Sequence, residues 1–155
     1  MKKIILTLLT AIIGCCAGIA QDYNLRMAGN ATNGGYYVKV VTVLDKKQNK
    51  TAMDYIKKMA VDGVMLRGVA PGNGYPAKQP LIDDPDMVRT KAEFFEAFNR
   101  DKLYENFCIV EPTSVSVTEL KKKKYEVSAL VTVDKERLIS YLTECQTIKN
   151  FDSLW

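Results

Sequence analysis

The sequence has no histidine in its 155 residues. That absence excludes Ser-His-Asp and Cys-His catalytic machinery, HExxH zinc sites and His-Cys zinc fingers. Cysteine is scarce too, with four in the chain, and two of these, Cys15 and Cys16, stand together near its start. Without an imidazole base, Cys108 and Cys145 make neither a papain-like pair nor a good zinc site. Phosphate-loop and dinucleotide signatures are missing: Gly72-Asn73-Gly74 lacks both the G-x-x-x-x-G-K-[ST] order and the spaced glycines of a Rossmann turn. There is no G-x-S-x-G elbow. The carboxylates are numerous, but nothing in the sequence pairs two of them for glycosidase work. These absences point to a chain with no cofactor and no recognisable catalytic or metal-binding set. With 47% hydrophobic and 26% charged residues, the chain is too apolar and too weakly charged to be disordered, and its length fits one domain.

What the sequence does have is an export signal. Lys2 and Lys3 precede an apolar run over residues 4–13 that contains only Thr7 and Thr10 as polar residues. Gly18 and Ala20 then stand three and one residues ahead of a cut before Gln21. This is the grammar of a secretory signal peptide, and the run is too short for a comfortable membrane span. Ile12-Ile13-Gly14-Cys15 offers a competing site, because it resembles a lipobox in which Cys15 is acylated and tethers the protein to a membrane. The cut after Ala20 is preferred. It leaves 135 residues with 20 basic and 18 acidic side chains, a net charge of +2 against +4 for the whole chain. A charge so near zero gives no support for nucleic-acid binding, and membrane contact is expected only if Cys15 is lipidated. In an oxidising envelope, Cys108 and Cys145 could form one disulfide; two separate buried thiols are the other reading.

The expected organisation is a signal peptide over 1–20, a flexible Gly/Asn-rich lead over 21–35 and one α/β domain over 36–155. Residues 36–44 are rich in β-branched and aromatic side chains and read as a central strand. Thr51 and Asp54 open a helix whose apolar stripe is Ala52, Ile56, Met59 and Ala60, with Gly63 as a left-handed terminator. Residues 64–69 read as a second strand, which gives a β-α-β unit. Residues 70–85 form a Pro/Gly-rich loop. Asp84 and Pro85 open a second helix with Val88, Ala92, Phe95 and Leu103 on its stripe, reinforced by Phe94 and Phe98.

Residues 106–110 form a strand interrupted by Pro112, which marks an edge or a bulge. That strand resumes over 114–118 and forms a hairpin with a strand over 125–133, the turn between them holding four lysines at 121–124. Asp134 caps a last helix that buries Leu138, Ile139, Leu142 and Cys145, and Phe151 and Trp155 in the tail pack back on the domain. The fold class is α+β or α/β: a single compact domain of order β-α-β-α-β-β-α, with a mixed sheet packed by helices.

Several stretches of this chain resemble a family of small exported Bacteroidota proteins of unknown function. They are Tyr37-Val38-Lys39-Val40, Lys57-Lys58-Met59-Ala60-Val61, Gly63-Val64-Met65-Leu66-Arg67-Gly68-Val69, Lys91-Ala92-Glu93-Phe94-Phe95, Lys124-Tyr125-Glu126-Val127 and Val131-Thr132-Val133-Asp134-Lys135. The resemblance spans roughly residues 36–150. A weaker likeness, of topology, runs to CsgG and LpoB envelope lipoproteins, whose α/β domains resemble the amino-terminal domain of TolB. The resemblance implies a periplasmic or outer-membrane-associated location and carries over no catalytic residue.

Three functions compete on this basis. The first is a non-catalytic accessory that binds another envelope protein through the 70–85 loop, with Pro71, Asn73 and Tyr75 as its contact residues, or through the lysine-tipped hairpin. The second is a small-ligand or glycan binder that stacks Tyr36, Tyr37 or Tyr75 on a sugar. The third is an enzyme with an unrecognised carboxylate site. Asp83, Asp84 and Asp86 could hold a hard cation, but their spacing is not that of an EF-hand, and helix capping accounts for Asp84 and Asp86. Asn30-Ala31-Thr32 and Asn49-Lys50-Thr51 fit the N-glycosylation sequon, and Asp152-Ser153-Leu154 resembles an O-glycosylation motif of exported Bacteroidota proteins.

Overall fold

Strict alternation of apolar and polar residues builds the centre of the molecule. In β5 (Lys124–Val133), Val127, Ala129, Val131 and Val133 all point to one buried face. β2 (Tyr36–Asp45) runs antiparallel beside it along its whole length, Tyr36 opposite Val133 and Asp45 opposite Lys124, and buries Val38, Val40, Thr42 and Leu44 on the same face. β1 (Tyr23–Asn30) adds outside β2, with a bulge between Met27 and Gly29. The computed structural model describes residues 23–32, 34–45, 48–145 and 147. The stretch read as an export signal, with Cys15, the tail residues Phe151 and Trp155, and the 152–154 motif lie outside the described residues.

The lane on the other side of β5 is divided. β3 (Cys108–Val110) pairs with its last three residues and β4 (Ser116–Leu120) with its first five. Between them Pro112–Ser114 forms a short 3-10 turn. The ladder is carried across that turn by Glu111, whose N–H donates to the Leu130 carbonyl at 2.9 Å, and by the Ser114 hydroxyl, which accepts from the Leu130 N–H at 2.8 Å. The edge position expected for Pro112 is thus observed, and a side chain substitutes for the hydrogen bond that the turn removes.

The helices are α1 (Ala52–Asp62), the one-turn α2 (Met87–Thr90), α3 (Ala92–Arg100) and α4 (Lys135–Glu144). Ala52, Ile56, Met59, Ala60 and Val61 of α1 pack on β2, β3 and β5, while Phe95 and Phe98 of α3 and Leu138 and Leu142 of α4 join the same core. Each fully buried aliphatic side chain here contributes about 1.5–3 kcal/mol. The opposite sheet face keeps Lys39, Val43 and Glu126 exposed. The described residues form a single compact α+β domain with a five-stranded antiparallel sheet and four helices.

The detailed order departs from the expectation at three places. The segment taken as a flexible lead supplies β1: Leu25 and Met27 are buried in alternation with Asn24 and Arg26, and the Gly/Asn richness belongs to the turn that follows. Residues 64–69 form no strand. α1 runs on into a π-helical turn, Gly63–Arg67, that buries Val64 and Met65. A short unbroken apolar run is the case in which periodicity cannot separate a strand from a buried helical turn. The sheet, expected to be mixed, is therefore antiparallel in every described ladder.

Gly63 is right-handed rather than a left-handed terminator. A Cβ there would lie 2.3 Å from Leu25 Cδ2, so the glycine serves close approach to β1. Val88 and Ala92 are exposed, and the buried stripe of α3 is aromatic instead: Phe95 and Phe98, with Phe94 half-buried.

Candidate functional site

The main cleft opens where β5 passes into α4. Asp134 makes that corner. Its Oδ1 accepts from the Arg137 N–H at 3.0 Å, as an N-cap should, and its own N–H donates to the Phe107 carbonyl at 2.8 Å. The first turn of α4 is thereby fixed beside the chain entering β3 and the β1–β2 turn. Between them lies a cleft of about 450 Å³, lined among others by Tyr37, Asn106, Ile109, Thr132 and Arg137. Ile109 is 74% exposed on its wall. A smaller hollow of about 270 Å³ shares Asn106, Phe107 and Arg137 with it and continues past Ser140, Tyr141 and Glu144 along α4.

Arg137 divides the two hollows. Its Nη1 donates to the Asn106 carbonyl at 3.2 Å, and the guanidinium carbon stands 5.9 Å from the Phe107 ring centroid. Among the described residues no carboxylate lies within ion-pair distance of it. The two carboxylates that line the main cleft are otherwise engaged: Glu105 pairs with Lys57 at 3.1 Å, and Asp134 caps α4. The cleft therefore combines one cation that no acid neutralises, the amide of Asn106, the hydroxyls of Tyr37 and Thr132, and an apolar wall.

None of Arg137, Asn106, Ile109 or Thr132 stands out in the sequence as a site residue. One local signal was present: Arg137 is a cation in the first turn of a helix, where the macrodipole favours acids. Lys135 shares that turn, so the signal does not single out Arg137.

Of the residues singled out from the sequence, Tyr37, Cys108 and Asn30 line this cleft, and the others fall elsewhere. Cys108 and Cys145 are both free thiols. Cys108 is buried, with its Sγ donating to the Tyr104 carbonyl at 3.4 Å, and Cys145 follows the last turn of α4 half-exposed. Burial pushes the Cys108 thiol up to about 11, despite the nearby Lys57. At pH 8 about one Cys108 in a thousand is then thiolate, and the fraction rises tenfold per pH unit until it nears 11. Iodoacetamide labelling of the folded protein, read by peptide mass spectrometry, is expected to modify Cys145 well before Cys108, with the Cys108 rate rising steeply above pH 9. Equal rates at pH 8 would contradict this placement.

Pro71, Asn73 and Tyr75 sit on a pinned hairpin rather than an open loop. Asn73 and Gly74, both at positive φ, form its tip, and Gly72 and Tyr75 exchange backbone hydrogen bonds at 3.1 and 2.9 Å. That is a type I′ turn, for which Asn-Gly is the favoured pair. Ala70 bonds Leu25 and Met27 of β1, so the hairpin covers part of that edge. Tyr36 lies on the sheet within 6 Å of the Lys78 and Lys135 ammonium groups, away from Tyr75's exposed turn.

Asp83, Asp84 and Asp86 are exposed. Asp84 accepts from the Asp86 N–H at 2.9 Å and Asp86 pairs with Arg89 at 3.1 Å, so these carboxylates shape a turn. No cluster of three metal-ligating side chains occurs among the described residues. Lys121–Lys123 and Lys124 are all exposed at the β4–β5 tip, with Lys122 and Lys123 left-handed. Asn30 of the first sequon is exposed at the end of β1.

Two neighbouring buried polar groups lie apart from the cleft, as does the buried and unpartnered Asn99 Oδ1. Tyr23 Oη and Asp62 Oδ1 are buried without a hydrogen-bond partner, beneath Arg67, whose guanidinium carbon is 4.5 Å from the Tyr23 ring. Burial pushes the phenol up to about 12 and also raises Asp62, against the opposing pull of its partner Lys58.

Fold and cleft together define a two-layer α+β domain with a partly apolar cleft at one end of its sheet, lined by one arginine and two carboxylates. No family model, no curated protein and no solved structure matches the chain.

Proposed function

We propose that this chain is an exported, non-catalytic accessory domain that binds another envelope protein through its β4–β5 hairpin. The observation that carries this reading is β4 itself. All five of its residues are exposed, Val117 at 49% and Leu120 at 39%, and among the described residues no strand pairs with its outer edge. Such an edge offers a row of backbone donors and acceptors to an incoming strand, and exposed apolar side chains add specificity. The lysines at the tip oppose self-pairing and favour a partner with an acidic face. The resemblance to small exported Bacteroidota proteins supports an envelope location, with a soluble form after cleavage behind Ala20 and a tethered form after acylation of Cys15.

A photo-crosslinking residue placed at Val117 in native cells is expected to give one dominant adduct. The same residue at Arg89, on the exposed α2 turn, is expected to give none. Leu120→Glu should reduce the Val117 adduct at least about fivefold, because it puts a negative charge among the apolar contacts and against the partner's acidic face. Identical adduct patterns from both positions would overturn the assignment.

A further inference from the structure

Independently of the hairpin, we infer that the cleft at the β5–α4 corner binds a small monocarboxylate with an apolar body, its carboxylate held by Arg137. The cleft, at about 450 Å³ and open on one side with Asn106, Ile109 and Arg137 exposed, has room to seat a small molecule. Its chemistry selects the ligand. A guanidinium matches a planar carboxylate through two parallel hydrogen bonds. Arg137 spends one N–H on the Asn106 carbonyl and retains the rest of its donors, with no described acid to satisfy them.

The charge balance argues against a phosphate. One cation lines the cleft against the carboxylates of Glu105 and Asp134, so a dianion meets more repulsion than a monoanion does. Glu105 pairs with Lys57 and Asp134 Oδ1 accepts from the Arg137 backbone N–H, so neither carboxylate forms an ion pair with the guanidinium, which stays open to one negative charge. Part of the lining is apolar: Ile109, exposed at the cleft, and the ring of Tyr37, both opposite Thr132 in the sheet, give an aliphatic or aromatic body a surface to cover. This places the small-ligand alternative at the cleft and not at Tyr75.

Phenylacetate is a suitable probe, followed by two-dimensional amide NMR of the isolated protein, with phenylacetamide as its uncharged counterpart and inorganic phosphate as a simple anion. Phenylacetate is expected to give saturable shifts at Asn106, Ile109 and Thr132. Phenylacetamide should bind at least about tenfold more weakly, the loss of one charge-assisted pair. Arg137→Gln should weaken phenylacetate by a similar factor and Arg137→Lys by less, since an ammonium keeps the charge and loses the fork.

Ile109→Glu is a second variant at an exposed position, and it should weaken phenylacetate at least about fivefold by repulsion while leaving the spectrum elsewhere unchanged. The inference is overturned by no saturable shift, by equal affinity for the amide, by tighter binding of phosphate, or by full affinity in both Arg137→Gln and Ile109→Glu.

Discussion

Replacing Phe98 with alanine is expected to lower the free energy of unfolding by about 4 kcal/mol. Phe98 has no solvent-exposed surface. Its ring stacks on Phe107 at 6.0 Å between centroids and 13° between planes, and Phe94 and Tyr141 lie at 5.9 and 6.1 Å. Those partners come from α3, from the 3-10 turn Leu103–Phe107 and from α4, so this one ring joins three segments that share no sheet hydrogen bonds. Removing it forfeits the transfer energy of the ring and leaves a cavity that three separately anchored segments cannot close together. A domain of this size has about 5–15 kcal/mol in total, so the change consumes a large part of its margin.

Urea unfolding is the measurement, with the midpoint falling and the slope unchanged. Phe94→Ala is the comparison. Phe94 packs on the same rings but is half-buried, and about half the loss is expected there. Equal small losses from both variants would mean that α3 is not docked on the core as described.

The central elements were legible because each obeys a single period. The alternation from Tyr125 to Val133 and the stripe of Ala52, Ile56, Met59 and Ala60 each have one structural solution, and the Asp134 cap is where its sequence places it. What failed was local ambiguity. Val64-Met65-Leu66 is apolar on every side, so its burial is evident but its backbone is not. Asn73-Gly74 was a readable I′ turn signal, obscured by its likeness to a phosphate loop.

The cleft was illegible for a different reason. Tyr37, Asn106, Ile109, Thr132 and Arg137 come from separate segments, brought together by the register that sets Tyr37 and Ile109 both opposite Thr132. No spacing rule links them. Their juxtaposition follows from a divided edge lane and from the corner at Asp134, and neither can be seen until the strands are paired.

That same pairing makes the hairpin over residues 69–78 part of the fold, and two glycines test it. Gly68 has φ 79° and ψ 179°, a region open to little but glycine. A Cβ there would sit 2.5 Å from the Lys78 carbonyl oxygen and 3.2 Å from Pro80. That oxygen cannot move aside freely: it accepts from the Val69 N–H at 2.8 Å, the reciprocal bond from the Lys78 N–H is also 2.8 Å, and Ala70 next along is bonded to β1. Gly68→Ala is therefore expected to cost about 3 kcal/mol, as backbone strain and lost bridge bonds add.

Gly74 has the same φ of 79° at the hairpin tip, with nothing within 4 Å of its would-be Cβ. Gly74→Ala should cost only the left-handed penalty, about 1 kcal/mol. The two share φ, but Gly68 adds its ψ of 179°, so the difference holds both that strain and the resistance of the hairpin to the clash. Hydrogen exchange supplies the independent readout: Gly68→Ala should expose the Met27 and Ala70 amides, which bond across the β1 edge, while Gly74→Ala leaves them protected. Equal losses with both amides still protected would show that strain at φ alone governs the two sites and that β1 holds its edge without the hairpin.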